Sequence, residues 1–208
     1  MTALREGISA LGLACPDALE ERLMAYAGLL ARWNRVYNLT RVPDEKTFTH
    51  HLLDSLSILP HVGYPGRLID VGSGGGLPGV PLALLRPDTE VVLLDSNGKK
   101  TRFLEQARID LGLENVTVVH KRVEDFDERF DVVTSRAFAS LADFSRMTAH
   151  LLSSRGVALA MKGALADSER VADMSPLVLE EIIELNVPGI DARRHLCKLR
   201  PAAATEPE

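Results

Sequence analysis

Glycines and carboxylates between residues 67 and 95 have the spacing of a site for a nucleoside cofactor. The run Arg67–Gly79 has the pattern of a short apolar strand, a glycine-rich turn and the start of a helix. Asp70 lies near the end of that strand, and a second apolar run, Val91–Leu94, is followed by a second acid, Asp95. Glycines let a ligand lie against bare peptide, and an acid after the second strand can accept hydrogen bonds from ribose hydroxyls. The pattern therefore predicts a nucleoside cofactor site.

The class of nucleoside depends on the frame in which the glycines are read. The dinucleotide fingerprint G-x-G-x-x-G, counted from Gly72, meets Leu77 where its third glycine is needed. The frame that starts at Gly74 matches but leaves Gly72 unexplained. The pattern acid-x-Gly-x-Gly-x-Gly fits Asp70–Gly76 completely, and that string resembles the first motif of Rossmann-like S-adenosylmethionine (SAM) methyltransferases. The residues favour SAM, although the motif by itself also allows a turn without a ligand.

Residues that follow the later strands are further candidates, because ligands of open α/β sheets lie across the carboxyl ends of the strands. Val123 could flank an adenine while Glu124 sets its edge, or both could belong to a solvated acidic loop. Arg136 could hold a phosphate, a guanine edge or the cofactor carboxylate, or it could pair with Asp143 or another nearby acid. Asp95 could bind ribose or cap the helix that follows it.

His51 and Asp54 are three residues apart in a predicted helix and have the residue types of a catalytic pair or a metal site. The same spacing is typical of a plain hydrogen bond at a helix surface or between domains. We expect the pair to shape the substrate side of the site, and the residues alone leave the alternatives open. Neither Cys15 nor Cys197 has possible ligands clustered beside it, so no metal site is predicted.

Length and composition limit the kinds of protein this chain can be. Its 208 residues suit one α/β domain with a small extension, and a hydrophobic content of 46% is enough for a sizeable core. No apolar run is long enough to cross a membrane, and the first residues do not resemble a signal peptide. The two cysteines lie far apart, so we expect a reduced, cytoplasmic protein. The formal net charge of −5 disfavours indiscriminate nucleic-acid binding but allows a local basic face.

Apolar strands alternate with helices from residue 67 onward, which predicts a mostly parallel sheet covered on both faces. The predicted strands of this α/β, Rossmann-like core are Leu68–Val71, Glu90–Leu94, Val116–Val119, Asp131–Ser135 and Val157–Met161. Helices are predicted over Gly79–Leu85, Lys99–Leu111, Leu141–Leu152 and Ala164–Met174. Two last strands, joined by the turn signal Pro188-Gly189, are expected to pair antiparallel and cover Ile182–Val187 and Leu196–Leu199.

Only helices are predicted before the sheet. One runs from about Asp17 to Leu39 with apolar residues on one face, and a second starts near Pro43 and is stopped by Pro60. We therefore predict an N-terminal helical extension over residues 1–66, a cofactor-binding core over 67–200 and a disordered tail over 201–208.

Several longer strings, spread over most of the chain, form a combined pattern. They are Trp33–Thr40, His51–Leu56, Asp70–Gly79, Leu94–Lys100, Arg122–Glu124, Ser135–Ala139, Lys162-Gly163 and Arg194–Leu196. Together they resemble the bacterial 16S rRNA guanine-N7 methyltransferase family, also called the glucose-inhibited division protein B family. The glycine string is common to methyltransferases, whereas Asn38–Thr40, His51–Ser55 and Ser135–Ala137 are far more specific. The position before His51 is often arginine in that family and is His50 here.

The resemblance implies a class I SAM-dependent methyltransferase fold with SAM contacts at Gly72, Leu77, Asp95, Val123, Glu124 and Arg136. It also implies methyl transfer to N7 of one guanine in a loop of 16S rRNA, within the small ribosomal subunit or an assembly intermediate. Neutral guanine N7 has a lone pair and no proton, so in-line transfer needs positioning to about 3–3.5 Å but no general base. No catalytic acid or base is therefore expected.

Contact with RNA requires cations near the mouth of the site. The candidates at or near strand ends are Lys99, Lys100, Arg136, Lys162, Arg194 and His195. A-form RNA hides N7 in a deep, narrow groove, so the target guanine is expected in a loop or splayed from one. A SAM methyltransferase for small molecules, an NAD(P) oxidoreductase and a non-catalytic binding module are the alternatives. We expect a monomer that binds neither DNA nor membranes.

Overall fold

The computed structural model describes residues 2–40, 48–136, 138 and 140–202, and within them the chain forms one seven-stranded sheet. The strands are β1 (Arg67–Val71), β2 (Glu90–Asp95), β3 (Val116–His120), β4 (Phe130–Ser135), β5 (Leu152–Lys162), β6 (Leu177–Glu184) and β7 (His195–Pro201). They lie in the order β3-β2-β1-β4-β5-β7-β6. Strands β1 to β5 pair in parallel, and β7 pairs antiparallel with both β5 and β6. The predicted mostly parallel sheet with a terminal antiparallel pair is confirmed.

Helices cover both faces of the sheet and precede it in the sequence. Before β1 come α1 (Ala3–Ala10), α2 (Asp17–Tyr37), a π-helical turn (Phe48–Leu53), α3 (Asp54–Leu56) and α4 (Leu59–Val62). Between the strands lie α5 (Gly79–Leu85), α6 (Gly98–Asp110), α7 (Leu141–Thr148), α8 (Asp167–Arg170) and two 3-10 turns, Val123–Asp125 and Ala149–Leu151. No helix among these residues combines the length and apolarity needed to span a bilayer.

The N-terminal helices share one apolar core with a face of the sheet. Leu23, Tyr26 and Leu30 of α2 are buried in the same cluster as Leu68 of β1 and Leu93 of β2. A second cluster covers the other face, where α7 packs on the sheet. The apolar core is therefore continuous from the N-terminal helices into the sheet. The boundary between a helical extension and a cofactor-binding core at residue 66 stays a prediction.

The antiparallel pair differs from the prediction in its bounds. Strand β6 starts five residues earlier than predicted, because Leu177 pairs with Pro201 and the register then runs, through a bulge, to Glu184 opposite His195. The connection runs from 185 to 194, whereas the predicted strands placed it at 188–195. Its ends are joined by the Leu185 amide, which donates to the Arg194 carbonyl at 2.8 Å.

Two predicted helices are shorter or interrupted. The helix expected over Ala164–Met174 is reduced to α8. The Ser145 hydroxyl donates to the Met174 carbonyl and accepts the Leu177 amide at 3.0 Å, and that amide also bonds the Met174 carbonyl at 2.9 Å, so this backbone forms a turn and does not continue the helix. Pro60 does not end a helix but lies in the first turn of α4, where no amide hydrogen is needed. The predicted helix start at Pro43 and the tail from residue 203 lie outside the described residues.

Candidate active site

Three cavities adjoin one another along the carboxyl ends of the parallel strands. We call them the Asp95 cavity, the glycine cavity and the Asp54 cavity, and their volumes are about 250, 170 and 360 Å³. Gly72 and Lys100 line both the Asp95 cavity and the glycine cavity. Thr40 and Arg136 line both the glycine cavity and the Asp54 cavity. The glycine cavity therefore connects the other two.

The Asp95 cavity collects the residues that follow β1, β2 and β3. Gly72, Asp95, Val123 and Glu124 all line it, which brings together four of the six residues predicted to contact the cofactor. Val123 is buried, and Glu124 is exposed on the same 3-10 turn. The apolar part of the lining comes from Val71, Leu94, Phe138 and Met147. An acid beside an apolar surface suits a ribose joined to a flat base.

Asp95 links the end of β2 to the glycine turn. Its Oδ2 accepts the Gly74 amide at 2.9 Å, and its Oδ1 accepts the Asn97 amide at 2.8 Å. The helix cap of α6 is Asn97, whose side chain accepts the Lys99 amide at 2.9 Å, so the alternative that Asp95 caps this helix is wrong. A carboxylate has about four acceptor positions, so two remain for ligand hydroxyls.

The glycine cavity is open because Gly74 has no side chain. Gly74 has φ 58°, and a Cβ there would meet only the Gly72 carbonyl oxygen at 3.8 Å and Lys100 Nζ at 3.9 Å. The space beside this residue could accept ligand atoms against bare peptide. Leu77 and Arg136, the other two predicted cofactor residues, line the same cavity.

Gly75 and Gly76 lie against packed side chains of helices α2, α5 and α6, and Gly75 also borders the glycine cavity. A Cβ at Gly75 would lie 3.0 Å from Leu30 Cδ1, and at Gly76, with φ 84°, it would lie 2.7 Å from Val80 Cγ2 and 3.3 Å from the Tyr26 hydroxyl. That hydroxyl also donates a short hydrogen bond to the Gly75 carbonyl. The glycine pattern does not predict this contact, and the tyrosine on the apolar face of α2 is the feature of the sequence that could have indicated it.

Asp70 is fully buried beneath the glycine turn. Its Oδ2 accepts the Gly79 amide at 3.0 Å, and its Oδ1 has no hydrogen-bond partner among the described residues. Burial raises the pKa of Asp70 to about 7, against the opposing effect of the Gly79 amide. The Val80 amide is bonded to the Gly76 carbonyl at 2.7 Å, so the first amides of α5 are satisfied within the protein.

The Asp54 cavity is rich in cationic and imidazole side chains. Its lining comes from the ends of β4 and β5, the start of β7 and the π-helical turn. The basic side chains in this lining are His50, His51, Arg136, Lys162, Arg194 and His195. Four of the predicted RNA contacts therefore lie together. Lys100 lines the other two cavities, and Lys99 is exposed and lines none of the three.

Arg136 is held by the N-terminal part of the chain. Its Nη1 donates to the His50 carbonyl and to Asp54 Oδ2, both at 3.3 Å, and its Nη2 donates to His51 Nδ1 at 3.2 Å. Asp143 pairs with Arg146 instead, so the predicted alternative of an Arg136–Asp143 pair is wrong. Arg136 does pair with an acid, but that acid is 82 residues earlier in the chain.

Asp54 also contacts a second arginine. Arg194 Nε forms an ion pair with Asp54 Oδ1 at 3.2 Å, without hydrogen-bond geometry. Burial raises the pKa of Asp54, and the two guanidinium groups oppose that effect by favouring the carboxylate. Nearby, Lys162 Nζ pairs with Glu169 at 2.9 Å, and His195 Nδ1 donates to the Gly163 carbonyl at 2.6 Å.

His51 is buried and electrically neutral. Burial lowers the pKa of His51 to about 3, and the Arg136 charge adds to the shift. Because Arg136 can only donate, His51 Nδ1 accepts, and Nε2 carries the hydrogen and donates to the Thr40 hydroxyl at 2.8 Å. Both ring nitrogens are engaged, so His51 is not placed to act as a base. The described part of the chain has no cluster of three or more His, Cys, Asp or Glu side chains that could hold a metal ion.

Curated relatives with the same description extend over nearly the whole chain. The Ribosomal RNA small subunit methyltransferase G of Neisseria meningitidis serogroup A is 53% identical over 195 residues, which cover 93% of this chain and 94% of the relative. The protein of the same name from Laribacter hongkongensis is 50% identical over 199 residues, covering 94% and 96% of the two chains. The family model described as GidB, rRNA small subunit methyltransferase G, matches residues 19–197.

Solved structures of more distant proteins share the fold. The ribosomal protein L11 methylase from Lactobacillus delbrueckii subsp. bulgaricus gives a TM-score of 0.57 at 16% identity, covering 77% of this chain and 80% of its own. TrmN from Thermus thermophilus gives 0.56 at 18% identity, covering 72% and 48%. The sheet is therefore that of class I SAM methyltransferases, and the chain belongs to the GidB family of rRNA small subunit methyltransferase G.

Proposed function

We propose that the protein transfers the methyl group of SAM to N7 of one guanine in the 16S rRNA of the small ribosomal subunit. The observation that carries the proposal is the contact between two chemically different compartments. The Asp95 and glycine cavities suit a nucleoside, the Asp54 cavity suits an anionic substrate, and Arg136 lines the junction between them. The family and the names of its relatives point to rRNA of the small subunit as that substrate.

The residues around the first two cavities fit SAM. The remaining acceptor positions of Asp95 suit the ribose hydroxyls, and the apolar surface beside Val123 suits adenine, with Glu124 at its edge. The open space beside Gly74, near Lys100, suits a carboxylate. When bound, SAM supplies a methyl group on a positively charged sulfur. We assign its contacts to Gly72, Leu77, Asp95, Val123, Glu124 and Arg136.

The side chains between the compartments position groups and do not move protons. Guanine N7 offers a lone pair and releases no proton, so its methylation needs no base. His51 has both nitrogens in hydrogen bonds, and Asp54 lies between two arginines, so neither is placed to accept a proton from a substrate. This arrangement supports alkylation of a ring nitrogen, in which the catalytic contribution is proximity and orientation.

The RNA is proposed to approach over the Asp54 cavity. Lys162, Arg194 and His195 provide positive charge and hydrogen-bond donors there, which attract phosphates and release counterions. A cavity at a sheet edge admits a splayed base, in agreement with a target in an RNA loop. Lys99 and Lys100 are proposed to contact RNA at the periphery. A cytoplasmic location, a monomeric state and the lack of DNA or membrane partners stay predictions.

The test is a labelling experiment with tritiated SAM. Small subunits from a strain that lacks the modification, the naked 16S rRNA from them, and subunits from a strain that carries it are incubated with the protein. We expect label in the unmodified substrate alone, recovered as 7-methylguanosine at one position. Label in a metabolite and none in rRNA would overturn the proposal and support the small-molecule alternative.

A further inference from the structure

We propose that Asp54 is a positioning residue, which orients Arg136 and Arg194 toward the phosphodiester groups of the RNA that enters the Asp54 cavity. The inference rests on the proposed function and adds to it a role for an acid that does not itself meet the substrate. The two arginines come from the end of β4 and the start of β7, two strands with only β5 between them.

One carboxylate serves both arginines. Asp54 Oδ2 lies 3.3 Å from Arg136 Nη1, and Asp54 Oδ1 lies 3.2 Å from Arg194 Nε. The Asp54 side chain is 7% exposed, whereas those of Arg136 and Arg194 are 25% and 22% exposed. The acid therefore lies behind the guanidinium groups, and the arginines lie between it and the solvent.

The anchoring leaves donors for a ligand. A guanidinium has five N–H donors in a rigid fork that matches phosphate geometry. Arg136 uses donors on Nη1 and Nη2 for the N-terminal segment, and Arg194 uses Nε for Asp54 and Nη1 for the Arg193 carbonyl. Further N–H groups of both side chains remain to bind phosphate oxygens, in an orientation fixed from behind.

A purely structural role explains Asp54 poorly. A buried ion pair is often no more stabilising than well-packed apolar side chains, because removing charges from water is costly. The neighbours of Asp54 in its own segment, among them Leu53 and Leu56, are buried apolar residues, so an apolar side chain at this position would suit a purely structural role. Fixing two flexible arginines before RNA arrives, by contrast, lowers the entropy lost on binding.

The variant Asp54→Asn distinguishes a positioning role from a purely electrostatic role, because the two roles predict opposite changes in the KM for small subunits. Removal of a negative charge makes the cavity more positive, so charge alone predicts tighter RNA binding and a lower KM for small subunits. Loss of orientation predicts that this KM rises about tenfold, the size expected for one charge-assisted phosphate contact. We expect the rise, with the Kd for SAM raised by at most about threefold, because Arg136 is the one assigned SAM contact that Asp54 holds and the other five are untouched.

Glu180 of β6 supplies a matched control, because it pairs with two basic residues of the neighbouring strand β7. It bridges Lys198 at 3.1 Å and Arg200 at 3.0 Å, as Asp54 bridges its arginines, but it lines none of the three cavities. Glu180→Gln removes the same charge and should leave the KM for small subunits within about twofold, as expected for an exposed pair. A double variant should show coupling, with Asp54→Asn costing less when Arg194→Ala is already present.

The possible results distinguish the inference about Asp54 from the proposed function. An unchanged or lower KM in Asp54→Asn overturns the inference, whereas wild-type protein that fails to label rRNA overturns the proposed function itself. If thermal melting shows that Asp54→Asn does not fold, Arg194→Lys is measured instead. That variant keeps the charge but loses the fork, so an approximately tenfold rise in KM supports the inference and an unchanged KM contradicts it.

Discussion

The Asp95 cavity is held together mainly by backbone amides, whereas the Asp54 cavity is held together by long side chains. Asp95 bonds the amides of Gly74 and Asn97, within 21 residues of sequence. Asp54 and Arg136 meet across 82 residues, and Arg194 joins them from the start of β7. The first cavity is a local consequence of strand, turn and helix. The second exists only after the N-terminal segment has folded onto the sheet.

Substitutions in the two cavities should therefore have different effects on the protein. A turn made of backbone and bare peptide is sensitive to added atoms, because a Cβ at Gly75 would press on α2 and one at Gly76 would press on α5 and α6. A cavity made of paired charges tolerates changes in volume but depends on which donors face outward. Steric variants should therefore damage folding and SAM binding, and charge variants should damage RNA binding with little effect on either.

The largest effect is expected when a methyl group is added at the turn. Gly76→Ala should lower the free energy of unfolding by about 3 kcal/mol, because a left-handed backbone disfavours a side chain and the Cβ would lie 2.7 Å from Val80 Cγ2. Urea denaturation measures this change. Gly12→Ala is the control, since Gly12 has φ 72° with nothing within 4 Å, and it should cost only about 1–2 kcal/mol. Equal losses would show that the close contacts with Val80 and Leu104 do not constrain the turn.

A smaller effect is expected on cofactor affinity. Asp95→Ala should weaken SAM binding about 50-fold, because it removes an ionised acceptor for the ligand and releases the Gly74 amide that the carboxylate fixes. Isothermal titration calorimetry measures the Kd. Asp110→Ala, at the end of α6, changes an exposed acid and should leave the Kd unchanged. Retention of wild-type affinity in Asp95→Ala would remove this residue from the proposed site.

A third effect concerns the pH dependence of stability. The pKa of Asp70 is about 7 in the folded protein, above the ordinary value of 3.8, so the folded state binds more protons than the unfolded state between those values. Stability should therefore increase as pH falls from about 7 to about 4, by at most about 1.4 kcal/mol per pH unit from this group. Asp70→Asn should flatten that slope in urea titrations between pH 5 and 8. Parallel slopes in the two proteins would contradict the assignment.

The sequence was sufficient to predict the parallel part of the sheet, and the structure brings the residues proposed to bind the cofactor to two adjoining cavities. Near-continuous apolar runs locate β1, β2 and β4 closely because both faces of these strands are buried, and the partly buried edge strand β3 is also located closely. Acids and glycines at the strand ends then follow from the fold, since carboxyl ends of parallel strands share one edge. The sequence pattern explained only part of the glycine motif, however. Gly74 leaves open space, whereas Gly75 and Gly76 admit helix α2, a contact that no local pattern records.

The substrate side could not be predicted to the same depth, for a physical reason. His51 and Asp54 were singled out by their spacing, but each of them contacts Arg136 and not a partner on the same helix. Ion pairs between distant segments depend on tertiary packing and leave no periodic trace. The shortened α8 has a similar cause, because its expected continuation is bound by the Ser145 hydroxyl from α7.

The smallest effect should come from a cation outside the cavities. Lys99 is exposed and lines none of the three, so Lys99→Ala should raise the KM for small subunits only about twofold and make its dependence on log salt shallower by about one unit. Lys162→Ala, inside the Asp54 cavity, should raise the KM more at every salt concentration, because its Nζ lies beside the strand ends where the base must enter. Steady-state rates from 50 to 200 mM salt measure both. Equal changes in KM and in salt dependence for the two variants would show that RNA binding depends on the overall electrostatic field of the protein. The Asp54 cavity would then contribute no more to RNA binding than the charged surface around it.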